Sequence, residues 1–492
     1  MVVAIVLLLT VAFLIYKLTR KPDNYPPGPP LWPVLGNAPL MRSKKSFLLA
    51  RDLRRAYGNV VGLRLFSQPI LLVSGLSEVR EALAKPEFQG RPLGAIRELE
   101  DDRTGIVFLE GRQWQEHRRF ALRHLRELGM GRHAMERCVT EEAVALMRDA
   151  RRLAGDAWRR PVPVHDLVSA SGVNIILQLL AARRFDRLDP RMRELMAVVR
   201  ATTSVLDSTG GVANCFPFLL RHLPSLTEYP AVKRAKQHIR SYCYSMIEKH
   251  EEDMDKERKE DLIYFYLQQI TKEDENEFFN KKQLAGLISD LFIAGSDTTT
   301  GALAYGILHM ALSADVQAKV QQELDTVVGK ERLPTTEDRQ RLPYCEATIN
   351  EILRFANVVP LSVPHAAITD TTFKGYFIPK GTRILLNLFD LHMDPDYWGD
   401  PQDFRPERFL DETGRVRKDE ALLPFGQGKR SCIGESLART NLFITFTSLL
   451  QNFSLSLPDG QERPSTEHMG GITVTTQPFS VVMSPRNSCK LY

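Results

Sequence analysis

The sequence predicts a mainly α protein with a minor β part, built as a single domain behind an N-terminal membrane anchor. Three observations carry this. Apolar residues recur at helical spacing over long stretches, above all across 281–312. Strand-like alternation is confined to a few short segments. Residues 2–16 (VVAIVLLLTVAFLIY) are apolar apart from Thr10. The 492 residues are 43% hydrophobic and 25% charged, an ordinary globular composition that excludes long disorder, collagen and an all-membrane bundle.

The first segment is read as an uncleaved anchor over 1–20. No charge precedes the apolar run, no small-residue cleavage site ends it, and Lys17, Arg20 and Lys21 follow. Leu18 and a snorkelling Lys17 lengthen a short span, and the positive flank keeps the C-terminal side cytoplasmic. Residues 21–40 hold Pro26-Pro27-Gly28-Pro29-Pro30 and Trp32-Pro33. Proline at that density forms neither helix nor central strand, so it makes a stiff spacer before a body over 41–492.

Within the body, Val60–Val73 reads as two strands turning near Ser67-Gln68-Pro69, because Val61, Leu63 and Leu65 alternate with Gly62 and Arg64. Residues 112–137 read as arginine-rich helix. Residues 248–261 are nearly all charge and read as a solvated helix end and loop. Strand signals return at 372–386 and 471–482. The formal charge of +5 is too small to argue for nucleic acid. Six cysteines (138, 215, 243, 345, 432, 489) show no CxxC and no disulfide-like spacing, which fits a reducing compartment.

One cysteine stands apart. Phe425-Gly426-Gln427-Gly428-Lys429-Arg430-Ser431-Cys432-Ile433-Gly434 sets Cys432 in a glycine-rich loop ahead of the apolar helix 437–450. Glycines let backbone approach a flat cofactor, and N–H groups at a helix start hold a thiolate ionised. Such a sulfur suits the axial position of haem iron; read alone, the residue is equally a buried free cysteine. Elsewhere, Glu351 and Arg354 share one face of an apolar helix. Ala294-Gly295-Ser296-Asp297-Thr298-Thr299-Thr300 places poor helix formers inside an apolar helix, where their hydroxyls can open the ladder.

The ten-residue string resembles the haem-binding signature of the cytochrome P450 family. The other motifs agree in order and spacing, so the resemblance covers essentially the whole chain. It implies the cytochrome P450 fold, haem b ligated by Cys432, and dioxygen and NADPH as co-substrates. Phe425, Arg430 and Gly434 belong to the signature, and Trp114, Arg118, His365 and Arg430 match family positions that hold the haem propionates, the charged ones as cations. Glu351, Arg354 and Arg408 of Pro406-Glu407-Arg408-Phe409 match a buried structural network behind the haem. Asp297 would supply or relay protons and Thr298 would stabilise dioxygen as it is reduced, with Ala294 and Gly295 leaving room above the iron. The pocket would be lined by Phe108, Phe216, Leu291, Phe292, Ala294, Val359, Leu361, Val363, Ile472 and Val474, an apolar set suited to a lipophilic substrate.

No GxGxxG follows a strand, so an external reductase is implied. Arg112, Arg119, Arg123, Arg126, Arg132 and Lys429 would steer an acidic partner. The anchor makes that partner the NADPH–cytochrome P450 reductase of the endoplasmic reticulum membrane, with cytochrome b5 as a second candidate. General likeness to the animal microsomal branch, including Asn387-Leu388-Phe389 before His392-Met393-Asp394, suggests epoxidation of methyl farnesoate to juvenile hormone. The alternative is a broad xenobiotic, fatty-acid or steroid hydroxylase. A peroxide isomerase would not need Asp297 and Thr298, and a haem sensor would not need the anchor.

Overall fold

The computed structural model describes residues 10–13, 15, 21–42, 45–92, 103–130, 133–187, 189–205, 222–227, 229–253, 261–272 and 278–486. Helices dominate. Before the centre come α1 (Ser46–Tyr57), α2 (Leu76–Ala84), α3 (Gly111–Glu127), α4 (His133–Ala154), α5 (Val164–Ala181), α6 (Pro190–Val205), α7 (Tyr229–Asp253) and α8 (Leu262–Lys272). The 32-residue α9 (Lys281–Leu312) follows, then α10 (Ala314–Val327), α11 (Pro343–Ala356), the short α12 (Leu388–His392) and α13 (Pro395–Trp398), and α14 (Glu435–Asn452). Strand content is small, as expected.

The helix α9 starts where the sequence expects, because the Asn280 side chain accepts from the Gln283 N–H at 2.9 Å and caps it, a contribution of about 1 kcal/mol. It runs against α5 through glycines. A Cβ on Gly172 would lie 2.9 Å from Thr300 Oγ1, and one on Gly295 2.3 Å from Ile176 Cδ1. The α5 helix is apolar and long enough to cross a membrane, yet 83% of it is buried in the protein, so it is a core helix. Apolar side chains of α4, α5, α9 and α14 share one large cluster.

A four-stranded sheet with order β1-β2-β7-β4 forms the β part: β1 (Val60–Leu65), β2 (Gln68–Val73), β4 (His365–Ala366) and β7 (Arg383–Leu386). The β1–β2 turn falls on Phe66 and Ser67, one step earlier than the sequence reading. Gln68 and Pro69 already belong to β2, and the pairing of β2 with β7 begins at Ile70, so Pro69 costs no ladder bond there. The hairpin β5 (Thr371–Phe373)–β6 (Tyr376–Ile378) is separate. The three-stranded β3-β11-β8 sheet uses β3 (Val162–Pro163), β8 (Phe453–Ser456) and β11 (Ser480–Pro485), and β9 (Met469–Gly470) pairs with β10 (Val474–Thr475).

Two sequence readings need correction. The helical stretch 112–137 is two helices, because Gly129 takes φ 94° after Leu128 caps α3. The charged stretch 248–261 is not wholly solvated. His250 and Asp261 are buried and bonded to each other, Nε2 to Oδ2 at 2.9 Å, and Asp261 Oδ1 accepts from the Tyr264 N–H at the start of α8. In the expected anchor, residues 10–13 and 15 are helical and exposed, including Val11, Phe13 and Ile15. The rest of it, with Lys17 and Arg20, lies outside the described residues, as do Arg132 and Phe216.

Candidate functional site

The cysteine loop folds as its glycines require. Gly426 and Gly428 take φ of 68° and 77°, and a Cβ on Gly428 would stand 3.1 Å from the Leu83 carbonyl of α2. The Cys432 N–H donates to the Phe425 carbonyl at 2.9 Å, closing the loop, and Gly434 caps α14. The Cys432 residue keeps solvent-accessible surface. Protein packed around its sulfur pushes the thiol up, while the Gly434 N–H and the nearby Arg118 pull it down and Glu435 pushes it up. Phe425 is covered by the Arg439 guanidinium at 5.0 Å.

Cations converge beside this loop. Arg118 donates to the Ser431 carbonyl at 2.8 Å. Arg430 lies over the Trp114 ring at 3.8 Å and donates to the Gln89 and Leu109 carbonyls at 2.9 and 2.7 Å. A third guanidinium, Arg91, was not singled out by sequence. It is buried and donates to the carbonyls of Val107, Val363 and Pro364. Burial and the charges of Arg430 and Arg118 press Arg91 down to about 9, against some support from Glu110. Arg430 is likewise lowered to about 10, first by burial. Three mutually repelling guanidinium groups with one carboxylate among them leave the cluster short of negative charge.

His365 departs from its expected role as a cation. It is buried, its Nδ1 donates to the Phe88 carbonyl at 2.7 Å, and burial together with Arg91 and Arg430 drives its pKa well below the ordinary value. Arg91 places a guanidinium beside this imidazole.

The polar stretch of α9 stays helical. The helix is not opened there. The hydroxyls of Ser296, Thr298 and Thr300 donate to the carbonyls of Phe292, Ala294 and Ser296 at 2.6–2.7 Å, each one turn back, and the helix runs on. Gly295 faces Ile176 of α5, so its lack of a side chain serves helix packing and not room over the iron. Ala294 does border space. It is exposed although Phe292 and Ser296 beside it are buried in the middle of a core helix. Asp297 is half-buried, and its Oδ2 accepts from Thr473 Oγ1 at 2.6 Å, a partner the sequence did not suggest.

Among the expected pocket residues, Phe108, Leu291, Val359, Val363 and Ile472 keep partial exposure inside an otherwise buried region. Phe292, Leu361 and Val474 are packed in the core instead, Leu361 and Val474 in one cluster with Phe355 and Phe389. The loop carrying Phe108 is pinned by another unforeseen residue: Asp290 Oδ2 accepts from the N–H groups of Ile106 and Val107 at 2.7 and 2.8 Å.

Behind the cysteine loop, Glu351 and Arg354 are wholly buried and paired through two bonds of 2.7 and 2.8 Å. Arg408 Nε donates to Glu351 Oε1 at 3.0 Å. The other guanidinium nitrogens go to backbone carbonyls, Arg354 to His392 and Pro401 and Arg408 to Trp398, Asp400 and Asp403, and Arg408 also pairs with the Asp400 carboxylate at 3.3 Å. The pairs therefore clamp the 392–408 segment, and His392 Nε2 accepts from the Leu423 N–H at 3.0 Å just ahead of the cysteine loop.

Comparison with known proteins agrees with this geometry. The family model for cytochrome P450 matches residues 26–483. The farnesoate epoxidase of Bombyx mori is 35% identical over all of both chains. Cytochrome P450 2J2 of Homo sapiens is 37% identical over 95% of this chain and 93% of its own, and cytochrome P450 2D15 of Canis lupus familiaris 37% over 98% and 97%. The chain belongs to the cytochrome P450 family and is a monooxygenase-type oxidoreductase. Membership implies a haem with a cysteine thiolate ligand. The residues present fit it. Cys432 is a free cysteine with residue surface still exposed, and the charge-deficient Arg91, Arg118 and Arg430 suit the two carboxylates that haem carries.

Proposed function

We propose that this member of the cytochrome P450 family epoxidises methyl farnesoate, adding one oxygen atom from dioxygen across one of its C=C bonds. Two electrons from NADPH and two protons convert the other atom to water. The observation that carries the oxygenase part is the free Cys432 in its glycine loop beside the guanidinium groups of Arg91, Arg118 and Arg430, with Glu110 supporting Arg91 and Arg430. The full-length likeness to the Bombyx mori farnesoate epoxidase supports the substrate.

Bound haem would supply oxygen activation, which no side chain here can perform. Cys432 would hold the iron. Arg91, Arg118 and Arg430, with the Trp114 indole, would hold the propionates. Asp297 would move protons inward and Thr298 would present its hydroxyl beside Ala294, whose small side chain leaves space. Phe108, Leu291, Val359, Val363 and Ile472 would keep water from the alkene.

Electrons would arrive from NADPH–cytochrome P450 reductase, with cytochrome b5 as a second donor. The exposed Arg112, Arg119, Arg123, Arg126 and Lys429 would form the docking face, since α3 carries both these and Arg118. Residues 1–20 would anchor the chain in the endoplasmic reticulum membrane, 21–40 would space it, and 41–492 would form the catalytic body on the cytoplasmic side. The exposed apolar Val11, Phe13 and Ile15 support that reading.

The second reading, a broad xenobiotic, fatty-acid or steroid hydroxylase, is favoured by the comparable likeness to cytochromes P450 2J2 and 2D15. Optical titration of the ferric protein with methyl farnesoate separates the two. A low-to-high-spin shift at micromolar ligand, followed by epoxide formation with reductase and NADPH, supports the first. No shift with haem intact removes methyl farnesoate and leaves the hydroxylase.

A further inference from the structure

The acid of the Asp297–Thr298 pair is held from outside its own helix. Its Oδ2 takes a 2.6 Å hydrogen bond from Thr473, 176 residues away. That distance is typical of a hydroxyl donating to a carboxylate, where the charge strengthens the bond and fixes the acceptor. Free of it, an aspartate carboxylate turns easily about its terminal torsion.

Thr473 stands in the turn between β9 and β10, and this turn is tied to two other places. The Ile472 N–H donates to the Thr203 carbonyl near the end of α6 at 3.3 Å, and the Val474 N–H to the Val358 carbonyl at 2.9 Å. On the same face of α9, a Cβ on Gly301 would meet the Val474 carbonyl at 3.3 Å, so the chain after the turn lies close along the helix one turn beyond Asp297. Ile472, the neighbour of Thr473, keeps partial exposure among the expected pocket residues. One short turn therefore carries a pocket side chain and, next to it, the hydroxyl that orients the acid.

We propose that Thr473 is the positioning residue of the Asp297 carboxylate and links occupancy of the pocket at Ile472 to proton delivery. The proposal rests on the reading of Asp297 as proton relay and of Ile472 as pocket wall. Thr473 touches neither substrate nor cofactor in this role. A substrate pressing on Ile472 moves the hydroxyl that sets the carboxylate, and so sets when protons can pass to Thr298. Reduction of dioxygen without timely protons at the right oxygen releases hydrogen peroxide in place of product and water, with the same two electrons consumed.

The test compares the Thr473→Val, Thr473→Ser and Asp297→Asn variants as haem-loaded full-length proteins, with reductase, NADPH and methyl farnesoate. Thr473→Val should lower product formed per NADPH by at least about threefold, the loss of one charge-assisted bond, with peroxide rising to match. Its spectral affinity for methyl farnesoate should stay within about twofold of the parent, since no substrate contact is lost. Thr473→Ser should restore coupling. Without turnover, hydrogen–deuterium exchange of the ligand-free protein should quicken across 469–475 in Thr473→Val and not in Thr473→Ser. Unchanged coupling or unchanged exchange in Thr473→Val overturns the proposal. If Asp297→Asn itself couples normally, the relay reading fails. If Asp297→Asn uncouples while Thr473→Val does not, only the role of Thr473 fails. If the parent does not oxidise methyl farnesoate, the substrate reading fails, and the same ratios are read with progesterone.

Discussion

The Arg430 guanidinium lies 3.8 Å from the centre of the Trp114 ring, 316 residues away in the chain. The contact joins the cysteine loop to α3, and it lets the indole face absorb part of a charge that Arg91 and Arg118 repel. Cation–π contacts of this kind contribute about 0.5–2 kcal/mol. The ligand-free chain thus carries an electrostatic cost that a dianionic ligand relieves.

Removing one of these cations should weaken haem binding more than folding. Arg91→Leu forfeits a charge-assisted contact of about 1.5–3 kcal/mol, so haem affinity should fall about 10- to 100-fold. Haem content per protein, read from absorbance, checks this. An Arg91→Leu protein that retains haem like the parent would show that Arg91 serves only the backbone of 107 and 363–364.

The Glu351 network predicts the opposite balance. Glu351→Ala leaves Arg354 buried without its carboxylate and Arg408 with only the 3.3 Å contact to Asp400, which costs about 3–5 kcal/mol. The variant should yield little soluble holoprotein at any haem supply, and thermal unfolding of what is recovered should occur well below the parent. Stability equal to the parent would mean that the backbone carbonyls and Asp400 satisfy both arginines.

Buried imidazoles set a pH dependence, three of them with the values that follow. His309 and His392 are lowered to about 3 and His468 to about 4, each chiefly by burial. The unfolded chain takes up these protons near pH 6.5 while the folded chain refuses them. Stability should therefore be complete above about pH 6.5 and fall on acidification toward pH 4, by up to about 1.4 kcal/mol per pH unit for each group. His309→Phe tests one term. Its Nε2 has no partner and its ring stacks on Phe404 at 4.3 Å, so phenylalanine should keep the packing. The variant should melt higher than the parent at pH 5 and close to it at pH 7.5. An unchanged difference between the two pH values would contradict the account.

Thr298→Ala should still load haem, because its hydroxyl bonds only the Ala294 carbonyl, yet it should leak peroxide and form less product. Product yield equal to the parent would remove Thr298 from the proton path.

Much of this was legible in sequence because the informative residues are neighbours there. The cysteine loop is a contiguous string, and Glu351 and Arg354 are one helical turn apart. The helix α9 announces itself by periodicity. What escaped were single residues whose meaning depends on a distant partner. Arg91 looks like any loop arginine until Arg430 and Arg118 stand beside it. Thr473 and Asp290 gain roles only when the chain brings the 473 turn and the 106–107 loop onto α9. The lowered pKa of His365 escaped for the same reason, since burial and two neighbouring guanidiniums set it. Gly295 looked like space over a cofactor and proves to be space for Ile176.

The most direct test of the central claim is turnover of methyl farnesoate by the haem-loaded protein with reductase, NADPH and ¹⁸O₂, with the product analysed by mass spectrometry. The account predicts an epoxide carrying a single ¹⁸O atom, formed in proportion to NADPH consumed and absent from Cys432→His. Oxygen derived from water, or undiminished product from Cys432→His, would contradict it.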